Sequence, residues 1–244
     1  MLSDVAAVAE RVAALLLAAL ERGQILGLAT GRTMEPVYAA LRRQLLACPA
    51  GQRQQLLAGW CSFNLDEYVG LAAGDAGAFA TEMAHALERP LALAAGCLQL
   101  PDGRAPDPQQ EARRYGAAVT AAGGIGLQLL GLGANGHVGF NEPPCPADAR
   151  CRCLPLSAAT RRQNAAAFGG DPQAVPERAI TLGTAEILAA EQVLLVVTGG
   201  AKAEILRRSL QEPPDPHVPA SWLQRHPRLR VVADAAAAAA LQLS

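Results

Sequence analysis

Short apolar runs alternate along this chain with longer stretches in which apolar and polar residues recur at helical spacing. The apolar runs predict buried strands over residues 24–29, 61–65, 126–132, 192–198 and 229–233. The amphipathic stretches predict helices over residues 3–22, 36–46, 76–88, 107–121 and 202–209, and the alanine run predicts a terminal helix over 235–240. Apolar strands separated by helices are typical of a parallel sheet covered on both faces. The pattern therefore predicts one α/β domain over residues 1–244, Rossmann-like, with a mostly parallel sheet and helices on both faces.

Composition narrows the classes of function. The net charge is −1, 51% of the residues are hydrophobic and only 18% are charged. A nearly neutral chain lacks the electrostatic footprint that nucleic acids or anionic membranes select, and this apolar content excludes a disordered chain. We therefore expect a folded protein without a nucleic-acid or membrane partner.

The N-terminal segment and the cysteines predict the compartment. The apolar run Val12–Leu20 is too short to span a bilayer, and acidic residues precede it where a signal peptide carries positive charge. It predicts an amphipathic first helix and a cytoplasmic location. The six cysteines are then expected to be free thiols, and the spacing of Cys145, Cys151 and Cys153 matches no zinc pattern. We predict no metal.

Glycine turns follow two of the predicted strands. Thr30–Thr33 leads into a helix, whose free N–H groups and positive dipole end form an anion site; the alternative is an ordinary strand-to-helix turn. Thr198–Lys202 also leads into a helix, and it contains the only lysine among 21 basic residues. A lysine in a first helical turn opposes the dipole, which favours a ligand-binding role over a solvated lysine.

Two further segments carry acid–base side chains. Asp66 and Glu67 come directly after an apolar run, and because adjacent side chains of an extended segment point in opposite directions, one carboxylate is expected to face the site and the other to be structural. The alternative is a solvated turn. The loop after Gly131 contains G-x-G-x-x-G, but the prolines that follow oppose the helix of a dinucleotide site. Its His137 and Glu142 instead suggest an acid–base pair close to a ligand.

Six segments together resemble the glucosamine-6-phosphate deaminase family of amino-sugar-phosphate isomerases and deaminases. They are LGLATGRT (26–33), FNLDEYVGL (63–71), LLGLGANGHVGFNEP (129–143), TRRQN (160–164), VPERAITLGTAEIL (175–188) and VTGGAKA (197–203). They follow the family's order over most of the chain, and the second and third together are specific. The related 6-phosphogluconolactonases share the fold and a Gly-His loop but typically lack the Phe-Asn-Glu-Pro continuation.

The resemblance implies a reaction and the residues that catalyse it. Glucosamine 6-phosphate and water would give fructose 6-phosphate and ammonia, through ring opening, aldose–ketose isomerisation and deamination. Asp66 would move the proton from C2 to C1, His137 would open the ring, and Glu142 would hold and polarise His137. Asn135 lies where some members have aspartate; it can orient the histidine but cannot pair with an imidazolium.

The resemblance also implies the substrate contacts. The residues concerned are Thr30, Gly31, Arg32, Thr33, Glu67, Arg161 and Lys202, with Arg161, Lys202 and the Gly31–Thr33 backbone on the phosphate. Arg32 replaces the family's small residue, and it either adds a phosphate contact or faces solvent. Isomerisation through an enolamine requires no metal or redox cofactor.

Several alternatives stay open at this point. The motifs suit galactosamine 6-phosphate as well as its epimer, and a 6-phosphogluconolactonase would share the fold. A non-catalytic sugar-phosphate sensor belongs to another class; such regulators carry a DNA-binding module, for which there is no room before Gln24. A monomer and a homo-oligomer are both compatible with the sequence. Because the chain ends soon after its last predicted strand, we expect no C-terminal allosteric control.

Overall fold

A computed structural model describes residues 1–242. Nine helices and nine strands are seen there, joined by short π and 3₁₀ turns. The helices are α1 (Val5–Glu21), α2 (Glu35–Ala47), α3 (Ala50–Ala58), α4 (Phe79–Met83), α5 (Arg89–Leu91), α6 (Pro108–Ala121), α7 (Ala158–Asn164), α8 (Thr184–Leu188) and α9 (Ala203–Gln211). The strands are β1 (Leu26–Leu28), β2 (Ser62–Asn64), β3 (Asp66–Tyr68), β4 (Leu98–Gln99), β5 (Leu127–Gly131), β6 (Arg152–Pro155), β7 (Arg178–Thr181), β8 (Gln192–Val197) and β9 (Leu229–Ala233).

The larger sheet has six strands in the order β4-β2-β1-β5-β8-β9, and every pair in it is parallel. The longest central strand, β8, is buried from Val193 to Val197, because both faces of the sheet are covered. The predicted parallel α/β fold is therefore confirmed. The five predicted strands are all present in it, each within two residues of its predicted bounds.

A second sheet was not predicted. It has three antiparallel strands in the order β3-β7-β6, and Asp66 of β3 pairs with Thr181 of β7. The segment Asp66–Tyr68 is thus a buried strand and not a solvated turn. Each of these strands has at most four residues and carries polar or charged side chains, so their hydrophobic pattern is too weak to predict them.

The helices follow the prediction less closely. The predicted helix 76–88 is α4, which a π turn at Ala84–Glu88 joins to α5. The predicted terminal helix over 235–240 is wrong, because this alanine run forms turns instead. Buried Asp234 accepts the backbone N–H of Ala237, which holds the chain in a turn at that point. The predicted helix 107–121 is α6, and Asp107 is its N-cap, accepting two backbone N–H groups with its side chain.

Candidate active site

The candidate site lies at the carboxyl edge of the larger sheet. The neighbouring strands β1, β5 and β8 end there, and each continues into one of the three glycine-containing segments that the sequence singled out. Ligands bind at this edge in open parallel sheets, because the strands and helix N-termini converge there. The fold therefore brings the two glycine turns, Thr30–Thr33 and Thr198–Lys202, to the same edge of the sheet as the loop that carries His137, called the histidine loop below.

Asp66 is a buried acid of this region, with 5% of its surface exposed. Burial, reinforced by the negative charges of Glu67 and Glu82, raises the pKa of Asp66 well above its usual value. The histidine loop packs against it, since a Cβ atom on Gly139 would lie 3.2 Å from Asp66 Oδ2 and 3.0 Å from Thr181 Oγ1. A carboxylate in such surroundings is a stronger base than an exposed aspartate.

The neighbouring acid, Glu67, has a different role. Its carboxylate accepts the backbone N–H groups of Tyr68 at 2.8 Å, Phe79 at 3.0 Å and Ala80 at 2.7 Å. These bonds attach the start of α4 to β3. The structure thus gives Glu67 an anchoring role, and the substrate contact that the resemblance implied for it stays a prediction.

His137 is held in one orientation by its own loop. Its Nδ1 lies 2.6 Å from Asn135 Oδ1, and its ring occupies the space where Gly133 would carry a Cβ atom. Burial, together with the Lys202 ammonium, lowers the pKa of His137 to about 4, although Glu142 acts in the opposite direction. The ring is therefore neutral at pH 7. Because an amide oxygen only accepts hydrogen bonds, Nδ1 carries the proton and Nε2 is the free base.

Glu142 acts on His137 through its charge and not through a hydrogen bond. Its Oε2 accepts the backbone N–H of Ser157 at 3.2 Å. Its Oε1 is buried, and among residues 1–242 it has no hydrogen-bond partner. The expectation that Glu142 holds the imidazole is therefore corrected, since Asn135 makes the bond. An unpartnered buried carboxylate oxygen is costly, which indicates that a ligand or a rearranged side chain completes it.

The turn after β1 presents backbone N–H groups to the cleft edge. Gly31 adopts a φ of 98°, a conformation that favours glycine, and its N–H donates to Glu82 Oε1 at 2.9 Å. The next two N–H groups, of Arg32 and Thr33, have no acceptor within the described residues. The available donors of this turn are therefore those of Arg32 and Thr33, and Gly31 supplies the bend.

The three predicted cations of the site, Arg32, Arg161 and Lys202, differ in their surroundings. Lys202 ends a 3₁₀ turn (Gly200–Lys202) that leads into α9, and burial, followed by the charge of Arg32, lowers its pKa. Arg32 and Lys202 are thus within electrostatic range of each other. Arg161, on α7, donates to the carbonyl oxygens of Val175 at 3.1 Å and Gln173 at 3.0 Å.

Two residues of this region escaped the sequence analysis. Thr181 pairs with Asp66 across the small sheet, and Glu82 contacts the Gly31 turn from α4. Thr181 lies in an unpredicted strand, and Glu82 is one acid within an ordinary amphipathic stretch. Thr181 lies within the quoted segment 175–188, but nothing in its local pattern sets it apart, and no local pattern indicates Glu82.

Clusters of metal-ligating side chains and membrane-crossing helices are both lacking among residues 1–242. Among residues 1–242, no group of three or more histidine, cysteine, aspartate or glutamate side chains is arranged to hold a metal ion. Within the same range, no helix is both long and apolar enough to cross a bilayer. All six cysteines are free thiols.

Comparison with known proteins decides the family. The model of the family described as glucosamine-6-phosphate isomerases/6-phosphogluconolactonase matches residues 3–232. The chain belongs to this family. The family that the sequence motifs suggested is therefore confirmed.

Individual family members are similar to this chain to different degrees. The glucosamine-6-phosphate deaminase of Rhodopirellula baltica is 42% identical over 217 residues, covering 89% of this chain and 84% of that protein. A solved structure of a monomeric glucosamine-6-phosphate deaminase matches with a TM-score of 0.91 at 31% identity, covering 98% of both chains. The 6-phosphogluconolactonase of Trypanosoma brucei matches with a TM-score of 0.77 at 16% identity, covering 99% of this chain and 97% of that one. The lactonase likeness concerns the fold alone.

Proposed function

We propose that this family member is a cytoplasmic glucosamine-6-phosphate deaminase, which converts glucosamine 6-phosphate and water to fructose 6-phosphate and ammonia. The observation that carries the proposal is that the loop holding a neutral imidazole, tied to Asn135 with Nε2 free, packs at Gly139 against the buried base Asp66. Ring opening and proton transfer between neighbouring carbons need two such groups. The family membership and the 42% identical relative support the same activity.

Ring opening is assigned to His137. Its Nε2 accepts the proton of the C1 hydroxyl and returns a proton to the ring oxygen as the C1–O5 bond breaks, which leaves the open-chain aldehyde. A neutral ring with a fixed Nδ1–H is the form that can begin this exchange. The buried Glu142 supplies negative charge that stabilises the transient imidazolium.

Isomerisation is assigned to Asp66. Its carboxylate removes the proton from C2 while the substrate's ammonium group gives a proton to O1, which yields an enolamine. The carboxyl group then delivers the C2 proton to C1, which leaves a protonated imine at C2. Water adds to this imine and ammonia departs, giving fructose 6-phosphate. The raised pKa of Asp66 brings its proton affinity closer to that needed at neutral pH, where an ordinary aspartate is a weak base.

The phosphate end is assigned to the turn after β1 and to the cations. The N–H groups of Arg32 and Thr33 lack acceptors among residues 1–242, and the Arg32 and Lys202 charges are coupled to each other. A phosphate dianion would accept hydrogen bonds from these two N–H groups and would offset the repulsion between the two positive charges. Thr30 and Arg161 complete the proposed contacts, with Arg161 entering from α7. Binding energy from this remote group can then be used to orient C1 and C2.

The test is a coupled ammonia assay with glucosamine 6-phosphate and galactosamine 6-phosphate, run beside an assay of 6-phosphogluconolactone hydrolysis. We expect ammonia release from the glucosamine substrate. Release only from the galactosamine epimer, or lactone hydrolysis without ammonia, would replace the proposed substrate by one of those alternatives. Binding of the sugar phosphates without any turnover would identify a sensor and contradict the enzyme.

A further inference from the structure

A third acid, Glu82, reaches the candidate site from α4. It is partly buried, and its Oε1 accepts the N–H of Gly31 at 2.9 Å, in the turn that would receive the substrate phosphate. A carboxylate beside an anion site repels the ligand. Its presence there therefore calls for a compensating function.

The contacts of Glu82 connect the two ends of the site. Glu67, next to Asp66 on β3, accepts the N–H groups of Phe79 and Ala80 and so fixes the start of α4. One helical turn later, Glu82 extends from α4 to the Gly31 N–H. The strand of the proton-transfer base is thereby coupled to the phosphate turn through two carboxylates and one short helix.

The surroundings of Glu82 are acidic and aromatic. Burial, with the negative charge of Glu35 acting in the same direction, raises the pKa of Glu82, and the Gly31 bond opposes them. Within residues 1–242, the charge of Glu82 in turn acts on four groups of α2 and β3: Tyr38, Asp66, Glu67 and Tyr68. Tyr115 of α6 also senses Asp66, and Arg32 follows Gly31 in the turn. Asp66 therefore lies within electrostatic range of Glu82 as well as of its neighbour Glu67, and both carboxylates are anchored by backbone N–H groups.

We propose that Glu82 is a positioning residue of this site: it fixes the Gly31 turn in the form that receives phosphate, and it adds its negative charge to that of Glu67 in the surroundings of Asp66. The inference rests on the proposed deaminase function, because it assigns the proton transfer to Asp66. The two roles are separable. A glutamine at this position keeps an oxygen that accepts the Gly31 N–H but loses the charge, and an alanine loses both.

The experiment compares wild type, Glu82→Gln, Glu82→Ala and the control Glu35→Gln. Inorganic phosphate binding is measured by calorimetry, and kcat/KM for glucosamine 6-phosphate is measured against pH. Glu35→Gln removes a negative charge from the same region without touching the Gly31 bond. Because Glu35 is exposed, its charge is screened, and this variant is expected to stay close to wild type.

Glu82→Gln is expected to bind phosphate about three- to tenfold more tightly than wild type, because the nearby negative charge is gone. In the profile of its kcat/KM against pH, the acid limb is expected to move to lower pH by about half a unit, since Asp66 then loses its proton more readily. Glu82→Ala is expected to bind phosphate at least about threefold more weakly than Glu82→Gln, because the turn has lost its anchor.

Two outcomes would overturn the proposal. Equal phosphate affinities of Glu82→Gln and Glu82→Ala would remove the anchoring role, and an acid limb unchanged in Glu82→Gln would remove the effect on Asp66. If wild type released no ammonia, the proposed function would fail instead. The phosphate titrations would still decide the anchoring role, because they do not depend on turnover.

Discussion

The two ends of the candidate site differ in how they are solvated. The proposed proton-transfer end consists of Asp66, which is buried, and His137, which is held neutral by burial and tied to Asn135. The proposed phosphate end consists of backbone N–H groups and cations, with Arg32 exposed and Lys202 only partly buried. Burial adjusts proton affinity, and accessible charge attracts an anion. Turnover and substrate affinity should therefore respond to different substitutions.

The largest effect is expected from Asp66→Asn. The amide cannot carry the proton from C2 to C1, so kcat should fall by about 10²–10⁴. KM should stay close to the wild-type value, because the phosphate end is untouched. Steady-state kinetics measures both, and phosphate calorimetry is the control. A near-normal kcat would remove Asp66 from the mechanism.

A smaller effect is expected from Gly133→Ala, which alters only the position of a catalytic ring. The new Cβ atom would overlap the His137 imidazole and displace it, so kcat should fall about 10- to 100-fold. The matched control is Gly131→Ala, whose Cβ atom would make an ordinary 3.5 Å contact with Met34. Equal activities of the two variants would show that the ring orientation is unimportant.

At the phosphate end, Lys202→Arg tests whether charge alone suffices. A guanidinium is larger and flatter than an ammonium, so KM should rise about three- to tenfold while kcat stays within about twofold. Arg11→Lys, at an exposed position of α1, is the charge-conserving control. An unchanged KM for Lys202→Arg would make the lone lysine a coincidence of composition.

The smallest effect concerns stability against pH. The pKa of His137 is lowered to about 4 in the folded protein, whereas an unfolded histidine titrates near 6.5. As the pH is lowered, the unfolded chain therefore takes up this proton before the folded protein does. The contribution of His137 to the free energy of unfolding is complete above about pH 6.5 and falls as the pH drops towards 4. Denaturant unfolding at several pH values should show a weaker loss for His137→Gln. The exposed His217→Gln should behave like wild type, and a pH dependence shared by all three would contradict the assignment.

The sequence predicted the larger sheet better than the smaller one for a physical reason. Strands such as β5 and β8 are buried on both faces, so their apolar runs stand out. The strand β3 has the sequence Asp-Glu-Tyr, which no apolar pattern marks. Its Glu67 carboxylate accepts three backbone N–H groups, one from the next residue and two from α4, and the histidine loop packs against Asp66. Such compensation comes from residues far apart in the chain, which a local pattern cannot reveal.

The residues of the candidate site also differ in whether the sequence could identify them. The glycine turns, His137 and Lys202 could be identified because they follow predicted strands, and the parallel topology brings those strand ends together. Glu82 could not, since its role depends on a contact with Gly31, 51 residues away. The sequence also could not show that Asn135, and not Glu142, makes the hydrogen bond to His137. Both residues lie within five positions of the histidine, so only the three-dimensional structure distinguishes them.

The half-buried Lys202 has a practical consequence for protein chemistry. It carries the only lysine side-chain amine of the sequence, so an acylating reagent that targets lysines has a single site. Its lowered pKa makes it nucleophilic at milder pH than an ordinary lysine. The mass of a single added acetyl group, mapped by peptide digestion, would then report whether the cleft is open or filled.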